Sequence, residues 1–239
     1  VNRFTAIDVI RGLCLLAMAA YHFTWDAGYL GLFYSDPANT HLGKWIAHSI
    51  AWSFLTLVGI SLVLAHRNGI RWPAFGRRLL ILLVAAAAVS AGTYAVFGNE
   101  FVFFGILHCI ALASVLGLAF LPLPALASLA AALAVFLAAR YGMLPAFDHP
   151  AWYWLGLNVT QPYTADYQPL IPNFGFVLIG IVLGKGLLHA APAWATMPAR
   201  VAPARALSFL GRHSLIFYLA HQPVIFGLSY LAAMIFYPY

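Results

Sequence analysis

Charge is scarce in this chain. Asp, Glu, Lys and Arg make up 8% of its 239 residues, while hydrophobic residues make up 64%. A soluble domain of this size would have to clothe its core in charged side chains, and 12 basic plus 6 acidic residues cannot do so. The composition therefore excludes a soluble globular protein and predicts an integral membrane protein. Cysteine is nearly absent as well. Cys14 and Cys109 both sit in apolar runs, which excludes a disulfide framework, says nothing of redox compartment and reads as two small buried hydrophobes. No linker, low-complexity stretch or repeat interrupts the sequence, so 1–239 is read as a single domain. The first apolar run lacks the small-residue cleavage pattern of a leader and is expected to stay as a span.

What the chain has in quantity is apolar runs. Stretches near 6–23, 46–65, 79–97, 101–120, 124–141, 171–189 and 213–236 match the roughly 17–25 residues needed to cross a bilayer. The expected architecture is thus an all-α bundle of about seven transmembrane helices. Pro223 lies in the last run; one kinked span is preferred over two short pieces, and eight spans is the alternative. Basic residues set the orientation. With the N-terminus inside, Arg3, Arg11, Arg67, Arg71, Arg77, Arg78, Lys185, Arg200, Arg205 and Arg212 fall on the inner side, and Lys44 and Arg140 on the outer. The C-terminus then lies outside. The net charge of +6 is thereby explained by topology, which excludes nucleic acid as a partner. Two longer outer segments, 24–45 and 142–170, are rich in aromatic and polar residues, as interfacial belts are.

Ionisable residues inside spans are costly and mark function by default. On the first span Asp8, Arg11, Leu15, Met18, His22 and Asp26 recur at spacings of three and four, so they share one helix face. Arg11 and His22 are separated by about 16 Å along the axis. The plainer reading of Asp8 and Arg11 is an ion pair at the inner boundary, and it is compatible with a second role. His41, His48 and His108 are expected at a depth similar to His22, near Asp26 and Glu100, and the group is read as acid–base machinery. A zinc site is the rival; no single span carries HxxxH or HExxH, so no metal is assigned. His66, His149 and His189 are expected to be solvated, and His221, just before Pro223 in the inner half of the last span, to serve the kink. Asn158-Val-Thr160 matches a glycosylation sequon in an outer loop.

Four stretches together resemble a family. Arg3-Phe-Thr-Ala-Ile-Asp-Val-Ile-Arg-Gly-Leu with Met18 and His22, Phe104-Gly-Ile-Leu-His-Cys-Ile-Ala, Asp166-Tyr-Gln-Pro-Leu-Ile-Pro-Asn-Phe-Gly running to Gly180 and Gly184, and Leu210-Gly-Arg-His-Ser-Leu-Ile-Phe-Tyr-Leu-Ala-His-Gln-Pro occur in order over nearly the whole chain. They resemble the bacterial relatives of heparan-α-glucosaminide N-acetyltransferase, akin to the acyltransferase-3 proteins. The resemblance implies a transmembrane acyltransferase-like fold and acetyl transfer from cytoplasmic acetyl-CoA to an amine or hydroxyl across the membrane. His22 matches the position of the histidine proposed as catalytic in acyltransferase-3 proteins. In the animal N-acetyltransferase that position is asparagine, with the histidine in the following loop, where His41 is the nearest candidate. His48 matches an aspartate there, and Asn173 replaces the usual tryptophan of the bacterial motif, which leaves the acceptor open.

The reading that follows assigns His22 as base, with His48 or His41 assisting and Asp26 or Asp166 orienting the imidazole or the acceptor amine. His108 bonds the acyl oxygen or braces the site. Arg11, Arg3 and some of Arg71, Arg77, Arg78 and Arg212 hold the CoA phosphates, because a guanidinium donates two parallel bonds to phosphate; plain topology accounts for most of the 66–78 arginines. The pantetheine arm is expected to pass Leu15 and Met18. The expected partners are membrane lipids, acetyl-CoA, an amino-sugar or glycan acceptor and, as an open alternative, a second copy in a homodimer. The expected location is the bacterial cytoplasmic membrane. Two other classes stay open: a transporter relaying protons through the outer histidines, and a non-catalytic membrane scaffold.

Overall fold

A computed structural model describes residues 4–33, 37, 38, 40–190, 193–197 and 201–236. The architecture is helical: α1 (Thr5–Tyr29), α2 (His41–Ala65), α3 (Trp72–Phe97), α4 (Ile106–Leu118), α5 (Ala125–Tyr141), α6 (Leu170–Ala190), the single turn α7 (Ala193–Thr196), α8 (Ala202–Arg212) and α9 (Ser214–Phe236). Among the described residues, five helices are long and apolar enough to cross a membrane: α1, α2, α3, α6 and α9. α4 and α5, read from the sequence as full spans, are shorter apolar helices of 13 and 17 residues. The chain forms two compact units, one of Val1–Phe54 with Ala191–Tyr239 and one of Leu55–Ala190, the division falling inside α2.

In the first unit, α1 outruns its apolar stretch by six residues. Its end is a Schellman motif: Leu32 N–H bonds the Ala27 carbonyl at 2.8 Å and Gly31 N–H the Gly28 carbonyl at 3.1 Å. Gly31 sits at φ 70°, a left-handed conformation open to glycine at little cost. α2 begins five residues before its apolar run because the Thr40 hydroxyl caps it, accepting from Gly43 N–H at 3.0 Å. α8 was not legible as an apolar run. It is amphipathic, with Ser208 and Gly211 buried, and it packs on α1. A side chain at Gly12 would meet the Leu207 carbonyl, and one at Gly211 the Asp8 carbonyl; these two glycines let the backbones touch. α9 continues through Pro223 as one helix. α8 runs opposite to α1, with Leu207 against Gly12 and Gly211 against Asp8, whereas His22 faces His221 and Asp26 bonds Gln222, so α9 runs in the same direction as α1.

The second unit holds an apolar core that includes Leu55, Leu62, Cys109, Val177, Leu178 and Ile181. Gly59 and Gly180 bring α2 and α6 into backbone contact; a Cβ on either would strike a carbonyl of the other helix. α4 is short because residues 101–105 are not helical. They pair with the loop before α6 instead: Ala165 N–H bonds the Glu100 carbonyl at 2.8 Å and Gln168 N–H the Phe104 carbonyl at 3.0 Å. Val102 gives its N–H to Thr93 Oγ1 at 3.0 Å and its carbonyl to the Ser90 hydroxyl at 2.6 Å. Non-helical backbone among apolar helices survives when its polar groups are met in this way. At the other end of α4, the Lys185 ammonium donates to the Phe120 carbonyl at 2.8 Å and also to the Leu123 carbonyl.

Candidate functional site

One face of α1 carries Asp8, Arg11, His22 and Asp26. Near its start, Arg11 Nη1 donates to Asp8 Oδ1 at 3.2 Å and reaches the Gly211 carbonyl at 3.4 Å. Arg212 follows directly on α8, exposed, with its Nε–H donated to the Ser208 carbonyl at 3.2 Å. Two of the expected phosphate ligands therefore meet at this end. Arg3 lies outside the described residues.

Eleven residues along α1, the His22 ring lies 5.0 Å from the His221 ring, centroid to centroid, with planes inclined by 62°. His221 Nδ1 bonds the Tyr218 carbonyl at 2.6 Å. A carbonyl only accepts, so Nδ1 carries the proton and neutral His221 presents a bare Nε2 lone pair. One turn above His22, Asp26 is fully buried, and its Oδ1 accepts from Gln222 Nε2 at 2.9 Å. Three buried acceptors in this group have no hydrogen-bond partner among the described residues: Asp26 Oδ2, Gln222 Oε1 and His221 Nε2. Uncompensated polar atoms in such a place are costly. Sequence reading assigned His221 to the kink at the inner half of its span; the structure sets it level with His22, because α9 starts close behind the α1–α8 contact. The signal was in the sequence: His221-Gln222 is a polar pair inside an apolar run, subject to the same rule that singled out His22.

His41 and His48 are exposed on α2. Among the described residues, their ring contacts are to tryptophans of their own helix: His48 stacks on Trp52 at 5.6 Å and His41 tilts against Trp45 at 6.3 Å. Leu15 and Met18, expected to line a channel, are buried. A cleft of about 650 Å³ lies on the other side of α1, between Cys14, Ala17 and Tyr21 of α1 and Ile46, Ile50 and Ser53 of α2. It spans Leu13 to Thr24 on α1, about 16 Å at 1.5 Å per residue.

The second unit holds His108 and Asp166 in a separate network. His108 Nδ1 accepts from Gly105 N–H at 3.3 Å, and Nε2 lies 3.4 Å from the Ser90 hydroxyl. Nδ1 thus serves the α4 N-terminus and Nε2 ties it to Ser90 of α3, as a brace does. Asp166 Oδ2 accepts from Ile106 N–H at 3.2 Å and Oδ1 from the Gln168 amide at 3.3 Å; Gln168 Oε1 in turn accepts from Asn173 at 3.3 Å. Burial holds the Asp166 carboxyl above the ordinary range despite these donors. Tyr167 donates its hydroxyl to Asn158 Oδ1 at 2.7 Å, and burial pushes its pKa up to about 12. Asn158 is buried and gives its amide to the Thr160 carbonyl at 2.8 Å, so the sequon asparagine is built into the loop. Arg71 and Arg77 are exposed and Arg78 is half-buried at the start of α3. His66, expected to be solvated, is half-buried, with Nδ1 on the Leu62 carbonyl at 2.8 Å. Among the described residues, no three His, Cys, Asp or Glu side chains are grouped as metal ligands would be.

A family model described as heparan-alpha-glucosaminide N-acetyltransferase, catalytic, matches residues 3–223. No curated protein and no solved structure matches the chain.

Proposed function

The chain belongs to the heparan-alpha-glucosaminide N-acetyltransferase catalytic family, and we propose that it moves an acetyl group from cytoplasmic acetyl-CoA to an amino sugar or related glycan on the far side of the membrane. The family is one of N-acetyltransferases, and the five long apolar helices make this member an integral membrane protein. The observation that carries the finer reading is the shared face of α1, with Arg11 at one end and His22 with Asp26 at the other.

The donor, when bound, supplies an acetyl group activated as a thioester. Its phosphates are assigned to Arg11 and Arg212, at the α1–α8 contact, with Arg11 sharing its guanidinium with Asp8. The apolar cleft beside Cys14 and Tyr21 lies on the other side of α1 from Arg11 and His22, and the Leu15–Met18 side is packed, so no path for the pantetheine arm is assigned. The imidazole end supplies proton transfer. An amine is protonated at neutral pH and must lose a proton before it can attack, and a departing thiolate gains one; histidine is matched to both tasks. The parallel course of α1 and α9 supports an N-terminus inside and a C-terminus outside, in keeping with the excess of inner arginines. The bacterial cytoplasmic membrane is the setting that fits. His41 and His48 are assigned a place at the acceptor's approach, and His108 and Asp166 the bracing of the outer loops. The transport reading gains nothing from the family match.

The test is binding of acetyl-CoA to the purified protein in detergent, followed by calorimetry. Wild-type protein is expected to bind it, and Arg11→Gln to bind it more weakly by about tenfold or more, the loss of one charge-assisted contact. Equal affinity in the two proteins contradicts the assignment of the phosphate end.

A further inference from the structure

The first unit contains a feature that acetyl transfer in general does not require. Asp26 Oδ2, Gln222 Oε1 and His221 Nε2 are hydrogen-bond acceptors, all buried and all without a donor among the described residues. They come from adjoining turns of two helices. Asp26 and Gln222 are joined by a 2.9 Å bond, and His221 precedes Gln222 in the chain. Asp26 is 0% exposed and His221 7% exposed, whereas His22 and Gln222 keep part of their surface open. A group of acceptors lacking donors calls for a ligand rich in donors. Neutral hydroxyls bring one donor and their own lone pairs; an ammonium brings three donors, a positive charge and no acceptor.

We propose that this cluster is the seat of the acceptor's ammonium group, and that His221, not His22, takes its first proton. The inference rests on the acetyltransferase reading and assigns the acceptor-binding residues within it. Asp26 Oδ2 and Gln222 Oε1 receive two N–H bonds of the R–NH3+ group, and His221 Nε2 receives the third. The Tyr218 carbonyl fixes the His221 tautomer and stabilises the imidazolium once Nε2 is protonated. His22 makes no hydrogen bond through its ring nitrogens among the described residues, and its ring lies beside His221. It is the group left to serve the sulfur.

The proton count closes. R–NH3+ gives one proton to His221 Nε2 and becomes R–NH2. The nitrogen lone pair attacks the acetyl carbonyl carbon; the C–N bond forms and the C–S bond breaks. The nitrogen's second proton passes through His22 to the thiolate, giving the thiol. The proton on His221 leaves to water, so amine and thioester yield amide, thiol and one proton, with no oxidant or reductant involved. Asp26 and Gln222 are binding residues on this account, and His221 is a catalytic one.

The experiment measures transfer of labelled acetyl from acetyl-CoA to glucosamine and ethanolamine by the full chain in detergent, with KM for each substrate determined separately. Asp26→Asn is expected to raise KM for the amine by about 10- to 100-fold, the loss of a charge-assisted bond, and to leave KM for acetyl-CoA unchanged. His221→Asn keeps a donor for the Tyr218 carbonyl but lacks the Nε2 lone pair; its kcat is expected to fall by about 10²- to 10⁴-fold, and added imidazole to restore part of it in His221→Gly. If Asp26→Asn does not elute as a folded species, Gln222→Met reads the same seat and is expected to raise the amine KM. An amine KM equal to the wild type's in the folded variants, or an unchanged kcat in His221→Asn, overturns this assignment while leaving the enzyme an acetyltransferase. A wild-type protein that acetylates neither amine overturns the functional reading as well.

Discussion

Asp166 offers the sharpest separation between a structural and a chemical role. Its carboxylate caps α4 through Ile106 N–H at 3.2 Å and holds the Gln168 amide at 3.3 Å. Replacing it with alanine removes both acceptors at once. Loss of a helix N-cap costs about 0.5–2 kcal/mol, and an amide left without its partner as much as about 1–3 kcal/mol, so Asp166→Ala is expected to lose about 1.5–5 kcal/mol in all. Asp166→Asn is milder but not neutral. Its amide would face the Gln168 amide, and Gln168 cannot turn over without giving up the Asn173 bond at 3.3 Å. The pH dependence has a definite sign. Burial raises the folded-state pKa of Asp166, so its contribution to stability is full below the unfolded carboxylate value of about 3.9 and is lost as pH rises through the folded value. Asn at this position should abolish that slope. Hydrogen exchange at the Ile106 amide, followed from acid to neutral pH in detergent, reads the effect. Protection of Ile106 that is the same in wild type and Asp166→Ala would refute the capping account.

Three further outcomes follow from the packing and the loops. Gly211→Val should force α8 off α1, because any Cβ there meets the Asp8 carbonyl, at an overpacking cost of about 1–3 kcal/mol; Gly186→Ala, with open space around it, should be tolerated, and the monodisperse yield of the two proteins compares them. Asn158 should carry no glycan when the chain is expressed in a secretory-pathway host, since both ends of its amide are bonded; an enzymatic deglycosylation shift in mobility tests this. Asp148 is held below the ordinary carboxylate range by the backbone N–H groups of Thr160 and Val159 and by the Thr160 hydroxyl. Its contribution is therefore present above the unfolded pKa and lost as pH falls through the folded one, so exchange at the Val159 and Thr160 amides should accelerate in acid.

Hydropathy made the long helices legible, because the apolar runs are bounded by arginines and loops. It misplaced their ends wherever a polar device outweighs hydropathy: Thr40 starts α2 early, Gly31 ends α1 late, and the paired backbone of 101–105 shortens α4. α8 escaped notice because an amphipathic helix of eleven residues has no apolar run. At the candidate site, helical spacing alone aligned Arg11, His22 and Asp26 on one face. It could not supply their partners, since Gly211, His221 and Gln222 arrive from about 200 positions away. His221 was legible as costly but not as a neighbour of His22. His108, read as bonding the acyl oxygen or bracing the site, and Asp166, read as orienting the imidazole or the acceptor amine, each bond a backbone N–H at the N-terminus of α4.

The central claim is tested most directly in sealed vesicles. Labelled acetyl-CoA is supplied on the side of the N-terminus and glucosamine on the opposite side, and acetylated glucosamine is counted. The account expects labelled product across the sealed bilayer with wild-type protein, and a fall of about 10²- to 10⁴-fold with His22→Ala. Product formed at the wild-type rate by His22→Ala, or formed only when both substrates share one side, contradicts it.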